Sequence, residues 1–505
     1  MVGTASTYDE LPYGFCAFPQ VHPDRLAVVG RLFGLSPAPV GRCRVLEIGC
    51  ALGGNLLPMA AALPESRFVG IDLAPRQIEQ GRAVVERLGL GNLELRAQDV
   101  TAFDPAEGPF DYILCHGVYS WVPPAVQEAI LSLCRRGLSP DGLATISYNV
   151  HPGWHVRGAV RDILRYGARG AGAPREQVAR ARAYLAFVAR NVFDTDTPYA
   201  RTVREAAETL AAEDPVYIFH EYLEEHNHPT SFAEFVGRAE GAGLRYVGEA
   251  SLRDPSSLLR DEARAMLTGI SDDRVRCEQT LDFLWRQTFR RDVLCPAGRE
   301  PGRWPEPAGL KDMLLVALAE PVADEPSKFR NAAGHTLTTR DPALRAALGA
   351  LHRARPRGVR LAALLAAAGQ AVRNVDEAAL ARSLLACATA GLVELHTHLP
   401  PIAARPSDRP QAGPVARWQA AEGHVVVNLR HQCYELDGLS RAVLALLDGA
   451  RSRPAVCEAL AGQLGAGTLA LPAGPDGRKP TAADLPQIVD EVLDALAGLS
   501  MLVER

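Results

Sequence analysis

VLEIGCALGGN, residues Val45 to Asn55, is the stretch whose reading decides the fold. The apolar positions Val45, Leu46 and Ile48 predict a buried strand, and Gly49, Gly53 and Gly54 follow at once. Glycine has no Cβ, so the backbone can turn tightly there and approach a ligand closely. The apolar run from Leu56 predicts a helix, with Pro58 in its first turn, where proline is tolerated. Strand, glycine turn and helix open a nucleotide-binding α/β unit. The next stretch, RFVGIDLAP (Arg67 to Pro75), predicts a second strand ending in the acid Asp72. An acid about 20 residues past the turn suits hydrogen bonding to ribose hydroxyls. The turn reads E-x-G-x-x-x-G, without the G-x-G-x-x-G that cradles a pyrophosphate, so it points away from NAD.

Outward from there, LELRAQDV (Leu93 to Val100) predicts a third strand ending in Asp99. FDYILCHGVYSWVP (Phe110 to Pro123) predicts a fourth strand over Tyr112 to Cys115 and the loop after it, and Gly142 to Tyr148 predicts a fifth. Helical stretches at Gln77 to Leu88 and Gln127 to Gly137 alternate with them, which implies a parallel, doubly wound sheet. Open α/β sheets bind ligands beyond the carboxyl ends of their strands. His116, Tyr119 and Trp121 therefore fall where a substrate belongs. Leu26 to Leu35 reads as an amphipathic helix before the sheet, and Val156 to about Ala212 as a helical insertion. Phe232 to Ala242 then predicts a helix, Leu244 to Glu249 a strand, and VLCP after Cys277 to Phe289 the last strand.

With 505 residues, the chain exceeds one ordinary domain. A net charge of −5 exerts no general pull toward nucleic acid or an anionic membrane. The 10 cysteines show no C-x-x-C pair, so neither a zinc site nor a disulfide framework is indicated. There is no secretory leader pattern and no apolar run of about 18 residues, so a cytoplasmic protein is expected. The run HEYLEEHN (His220 to Asn227) offers His220, Glu221, Glu224 and His226 as metal ligands, but it is not H-E-x-x-H. A hydrogen-bonded helix end is the preferred reading, and no metal is assigned.

PAGREPGRWPEP (residues 296–307) is a linker by composition, and an internal repeat follows it. Leu344 to Gly369 resembles Ser440 to Gly465, and each stretch leads through a further helix to an apolar strand. Helix, turn, helix, helix, strand is the order of a winged helix. The expected domains are 1–300, with the insertion at about 151–230, then winged-helix-like units at 308–399 and 419–505. Their arginines are dispersed among Ala and Leu without a basic face, which favours docking onto protein over nucleic acid.

The first motif resembles that of the class I S-adenosylmethionine (SAM) methyltransferases, whose second strand ends in such an acid. More specifically, YDELPY, LEIGCALGGN, HGVYSWVP, YNVHPGW, HEYLEEHNHP, LDFLWRQTFR and NLRHQCYELD resemble bacterial methyltransferases with a methyltransferase regulatory domain. That group includes the rickettsial protein lysine methyltransferases. The resemblance implies an α/β, Rossmann-like class I sheet with a helical insertion, followed by a C-terminal α+β domain of tandem winged-helix-like units. It implies SAM as cofactor and S-adenosylhomocysteine as product. Glu47, Gly49, Gly53, Asp72 and Asp99 would then bind SAM, with Cys50, Asn55, Leu73, Val100, Cys115 and His116 around them.

Tyr8 and Tyr13 precede the sheet, where a segment folds over the pocket in many such enzymes; they either line the methyl site or staple that segment down. Tyr119, Trp121, Tyr148 and Trp154 supply aromatic faces for a cationic product, and His116 is a candidate base. The implied substrate is a protein or peptide side chain, lysine by preference, and a homodimer is the other partner expected. Two alternatives stand beside it: a methyltransferase of a small molecule or biosynthetic peptide at N, O or C, and a SAM-binding regulator without turnover.

Overall fold

Seven strands form the central sheet of the computed structural model, which describes residues 14–193, 196–252, 259–471 and 480–504. Tyr8 and Tyr13 lie outside the described residues. The strands are β1 (Arg44–Ile48), β2 (Arg67–Asp72), β3 (Leu93–Ala97), β4 (Phe110–Cys115), β5 (Leu138–Asn149), β6 (Leu244–Glu249) and β7 (Phe289–Pro296). Their order is β3-β2-β1-β4-β5-β7-β6. The first five run parallel, and β7 inserts antiparallel between β5 and β6. The sheet is therefore mixed where the strand–helix alternation alone predicts a parallel one. β1 is buried almost throughout, as an apolar run in a sheet covered on both faces must be. Strand order reverses between β1 and β4, and the crevice of such a sheet opens at that reversal.

Three long helices, Gly153–Ala168, Pro174–Asn191 and Pro198–Ala211, stand between β5 and β6. They close their own core around Leu164, Val178, Leu185 and Val203. After β7 come the helices Pro342–Ala354, Leu361–Ala371 and Glu377–Thr389 and the strand Val393–His396, paired antiparallel with Leu314–Ala317. The repeat returns as Gly438–Leu446, Arg453–Gly465 and Leu485–Gly498. In this second copy the closing strand is reduced to single bridges, Ala412 to Leu502 and Ile402 to Val503.

The helix before the sheet spans Pro23–Leu32 and is not amphipathic in its surroundings. Val28, Val29 and Leu32 are buried, and so is Asp24. The first C-terminal unit covers the side that would otherwise face water: one apolar core runs from Leu26 and Val45 to Leu315, Leu348 and Leu384. Among the described residues no helix is long and apolar enough to cross a membrane.

Candidate active site

β1 delivers Glu47 to the crevice and stops at Gly49, which sits at φ +75°. A Cβ there would come within 2.3 Å of Val118 Cγ2, so only glycine fits against the loop after β4. The Glu47 carboxylate is 3% exposed. Its Oε1 accepts from Asn55 Nδ2 at 2.7 Å, while Oε2 is buried with no hydrogen-bond partner among the described residues. Burial pushes the Glu47 carboxyl up to about 8; the Asn55 hydrogen bond opposes this and the Asp72 charge adds to it. A buried acceptor left open is costly unless something else completes it.

Asp72, at the end of β2, accepts from Ala51 N at 2.8 Å and Ala74 N at 2.9 Å, which fixes its carboxylate above the glycine turn. Leu73 beside it is 65% exposed. β3 ends at Ala97, two residues before the predicted Asp99. Asp99 caps the short turn Val100–Ala102 through Thr101 N at 2.8 Å. Cys50, Asn55 and Val100 lie on these same turns. A cofactor with an apolar base, a ribose and a charged tail fits this set: an exposed apolar side chain, a fixed carboxylate and an open buried acceptor.

Chain preceding the sheet closes over the turn. Phe18 N donates to Asn55 Oδ1 at 3.0 Å, and a Cβ on Gly54 would meet Cys16 N and Phe15 Cα at 2.8 Å. The Phe18 ring lies 4.3 Å from the His116 ring, and Phe289 stands edge-on to it at 5.8 Å.

Several sequence-derived aromatic and base roles need correction. Tyr119 and Tyr148 are each 1% exposed and belong to the core beneath the sheet. Tyr148 stacks on Phe235 at 4.0 Å and its hydroxyl donates to Asp292 at 2.5 Å, so it cannot line the crevice. Tyr119 packs edge-on to the same Phe235 at 5.4 Å. The Cys115 side chain is likewise fully buried against the core rather than toward the cofactor side. Trp154 is buried with Trp121 edge-on at 6.0 Å, and of the two only Trp121 keeps solvent exposure. His116 is a poor base: burial, helped by the Arg291 charge, lowers its pKa to about 3. The rings that do meet at the end of β4, Phe18 and Phe289, were missed, because they come from before β1 and from β7.

The run after residue 219 is a π-turn, Phe219–Leu223, with His220 Nδ1 2.9 Å from Glu224 Oε1 and Arg157 paired to Glu221. Among the described residues no group of three or more His, Cys, Asp or Glu is arranged to hold a metal.

Comparison with known proteins places this geometry. Residues 45–142 match the profile of a methyltransferase domain, 214–296 that of a "predicted methyltransferase regulatory domain", and 408–501 that of the PKMT C-terminal winged helix domain. The uncharacterized protein RP789 of Rickettsia prowazekii is 36% identical over 300 residues, 58% of this chain and 53% of that protein. RP028 of the same organism is 37% identical over 234 residues, 46% of this chain and 94% of that protein. The chain thus spans about half the length of the first relative and nearly all of the second. The structure of PKMT2 from Rickettsia typhi in complex with AdoHcy superposes with a TM-score of 0.85 at 26% identity, over 98% of this chain and 100% of that one. The chain belongs to the SAM-dependent methyltransferases that carry a methyltransferase regulatory domain and a PKMT-type C-terminal winged helix.

Proposed function

We propose that the protein transfers a methyl group from SAM to a nitrogen of a protein or peptide side chain, lysine by preference. The observation that carries the polypeptide reading is the extent of the likeness to PKMT2, which runs over 98% of the chain and so takes in both C-terminal units.

SAM supplies, when bound, a methyl group activated by its sulfonium. Glu47 Oε2 and the fixed carboxylate of Asp72 would hold its charged tail and its ribose, and Leu73 and Asp99 its base. The chain's task at the reacting end is alignment rather than proton removal. His116, with its pKa near 3, stays neutral and takes no proton at physiological pH. The nucleophile must therefore arrive unprotonated, and the Phe18–His116–Phe289 box favours that: desolvation lowers the pKa of a lysine amine. The same rings accommodate a methylated ammonium by cation–π attraction.

Incubating the purified protein with methyl-labelled SAM and a lysate of its own host tests the reading. Label on a discrete protein, mapped to lysine by mass spectrometry, supports it. Label confined to the small-molecule fraction overturns the polypeptide substrate, and SAM binding without any transfer overturns the enzyme.

A further inference from the structure

Asn55 is tied to the far end of the chain. The loop 428–433 hangs from the end of the helix Leu485–Gly498: Asn428 Nδ2 donates to Leu499 O at 2.8 Å and Leu429 N to Ser500 O at 3.0 Å. Asn428 Oδ1 accepts from Arg430 N and Gln432 N, each at 2.9 Å, which closes the loop tightly. His431 at its tip takes φ +63°, a left-handed conformation that a histidine adopts at a cost. The strained tip aims the ring, 5% exposed, at the glycine turn, where His431 Nε2 lies 2.8 Å from Asn55 Oδ1.

The direction of these bonds is determined. Phe18 N–H can only donate, so the Asn55 atom it meets at 3.0 Å is the carbonyl oxygen. His431 Nε2 must then carry a proton and donate to that oxygen as well. The amide nitrogen is left for Glu47 Oε1, at 2.7 Å. Burial, with the neighbouring His22, keeps the His431 ring neutral. Two donors on Oδ1 hold the Asn55 amide in one orientation, which holds Glu47 with Oε2 open.

We propose that His431 is a positioning residue for SAM, so that the second C-terminal unit completes the cofactor pocket of the first domain. This rests on reading the strand ends as the SAM site. By linkage, SAM and the docking of the 428–433 loop strengthen each other, and a ligand that draws the second unit away weakens SAM binding by the same factor.

The experiment is calorimetric titration of the full chain with SAM, using His431→Ala, His431→Gln and Asp72→Ala beside the wild type, with hydrogen exchange over 428–433. One buried hydrogen bond corresponds to roughly a three- to tenfold effect. The expected result is that His431→Ala weakens SAM by about that factor, while His431→Gln, whose amide can donate at similar reach, recovers most of it. SAM should also slow exchange of the loop amides in the wild type. Wild-type affinity in His431→Ala overturns the proposal, as does equal weakening in both His431 variants. If the alanine chain fails to fold, the exchange result decides: loop amides indifferent to SAM overturn it. Asp72→Ala separates the two readings. Unchanged affinity there removes the SAM site itself, whereas weakened affinity beside an unaffected His431→Ala removes only the role of His431.

Discussion

Two buried acid clusters lie close together in this molecule, and they are finished to different degrees. At the domain junction, Asp24 Oδ1 accepts from Thr397 N, Thr397 Oγ1 and His398 N, and Oδ2 faces His396 Nδ1 at 2.8 Å. His396 in turn meets Glu394 at 3.2 Å, and Arg430 meets the same Glu394 at 3.1 Å. Burial acts to raise the pKa of Asp24 and of Glu394; the His396 charge and hydrogen bonds overcome it and hold both low, Glu394 at about 2. At the end of β1, burial wins instead, and Glu47 rises to about 8 with one oxygen unpartnered among the described residues. Where acids join domains, the chain itself pairs the carboxylates. At the strand ends one carboxylate oxygen has no partner among the described residues, and it faces the crevice where such sheets bind ligands.

The largest effect should come from breaking the finished cluster. Asp24→Ala takes from the buried His396 histidinium one of its two carboxylate partners and should cost about 3–5 kcal/mol in chemical denaturation near pH 6. Glu47→Gln removes no charged partner and should change stability by less than about 1 kcal/mol. His396 is raised from 6.5 to about 9, so its contribution is complete below pH 6.5 and is lost as pH rises through 9. Glu394 is lowered from 4.5 to about 2, so its contribution is complete above pH 4.5 and is lost as pH falls through 2. With His22, Arg25, His398 and Arg430 also facing the cluster, the wild-type advantage over Asp24→Ala should narrow between pH 6.5 and 9. An equal loss in Glu47→Gln would erase the contrast.

How each cluster reads from sequence follows from how local it is. Glu47 and Asp72 sit on two consecutive strands and Gly49 directly follows the first, and their spacing alone places them at one end of a sheet. Asp24 and His396 are 372 positions apart, and Asn55 and His431 are 376 apart. No periodicity carries such a pairing, although NLRHQCYELD stood out as a stretch. Tyr148 was misread for a different reason: strand position tells which end of the sheet a residue nears, but its face depends on register. Side chains alternate along β5, and the register Tyr148 to Arg290 turns its hydroxyl to Asp292. Helix Pro23–Leu32 reads as one-sided only because its cover comes from the far end of the chain.

Within the open site, Asp72→Ala should lower SAM affinity by about 1.5–3 kcal/mol for each charge-assisted bond lost to ribose, measured by calorimetry. Asp72 also steadies Ala51, which sits at φ +49° in the turn. Asp72→Asn keeps an acceptor for Ala51 N and loses the charge, so it should fall between the wild type and alanine. If asparagine and alanine are equally weak, charge toward the cofactor rules; if asparagine equals the wild type, support of the turn does.

The smallest signal is also the sharpest test of the open carboxylate. With its pKa raised to about 8, Glu47 is mostly protonated at pH 7 in the ligand-free protein. A cation placed against Oε2 favours the ionised form and lowers that pKa. Binding SAM at pH 7 should therefore release close to one proton, because the bound state holds fewer protons than the free one. Calorimetry repeated in buffers of different ionisation enthalpy reads that number from the slope of heat against buffer enthalpy. The release should shrink as pH is raised above 8, where Glu47 is already ionised, and vanish in Glu47→Gln. The Asp24 cluster, whose carboxylates are already paired within the chain, should contribute nothing to the slope. A release that persists in Glu47→Gln would show that the proton comes from elsewhere and that the open oxygen does not meet the cofactor's charge.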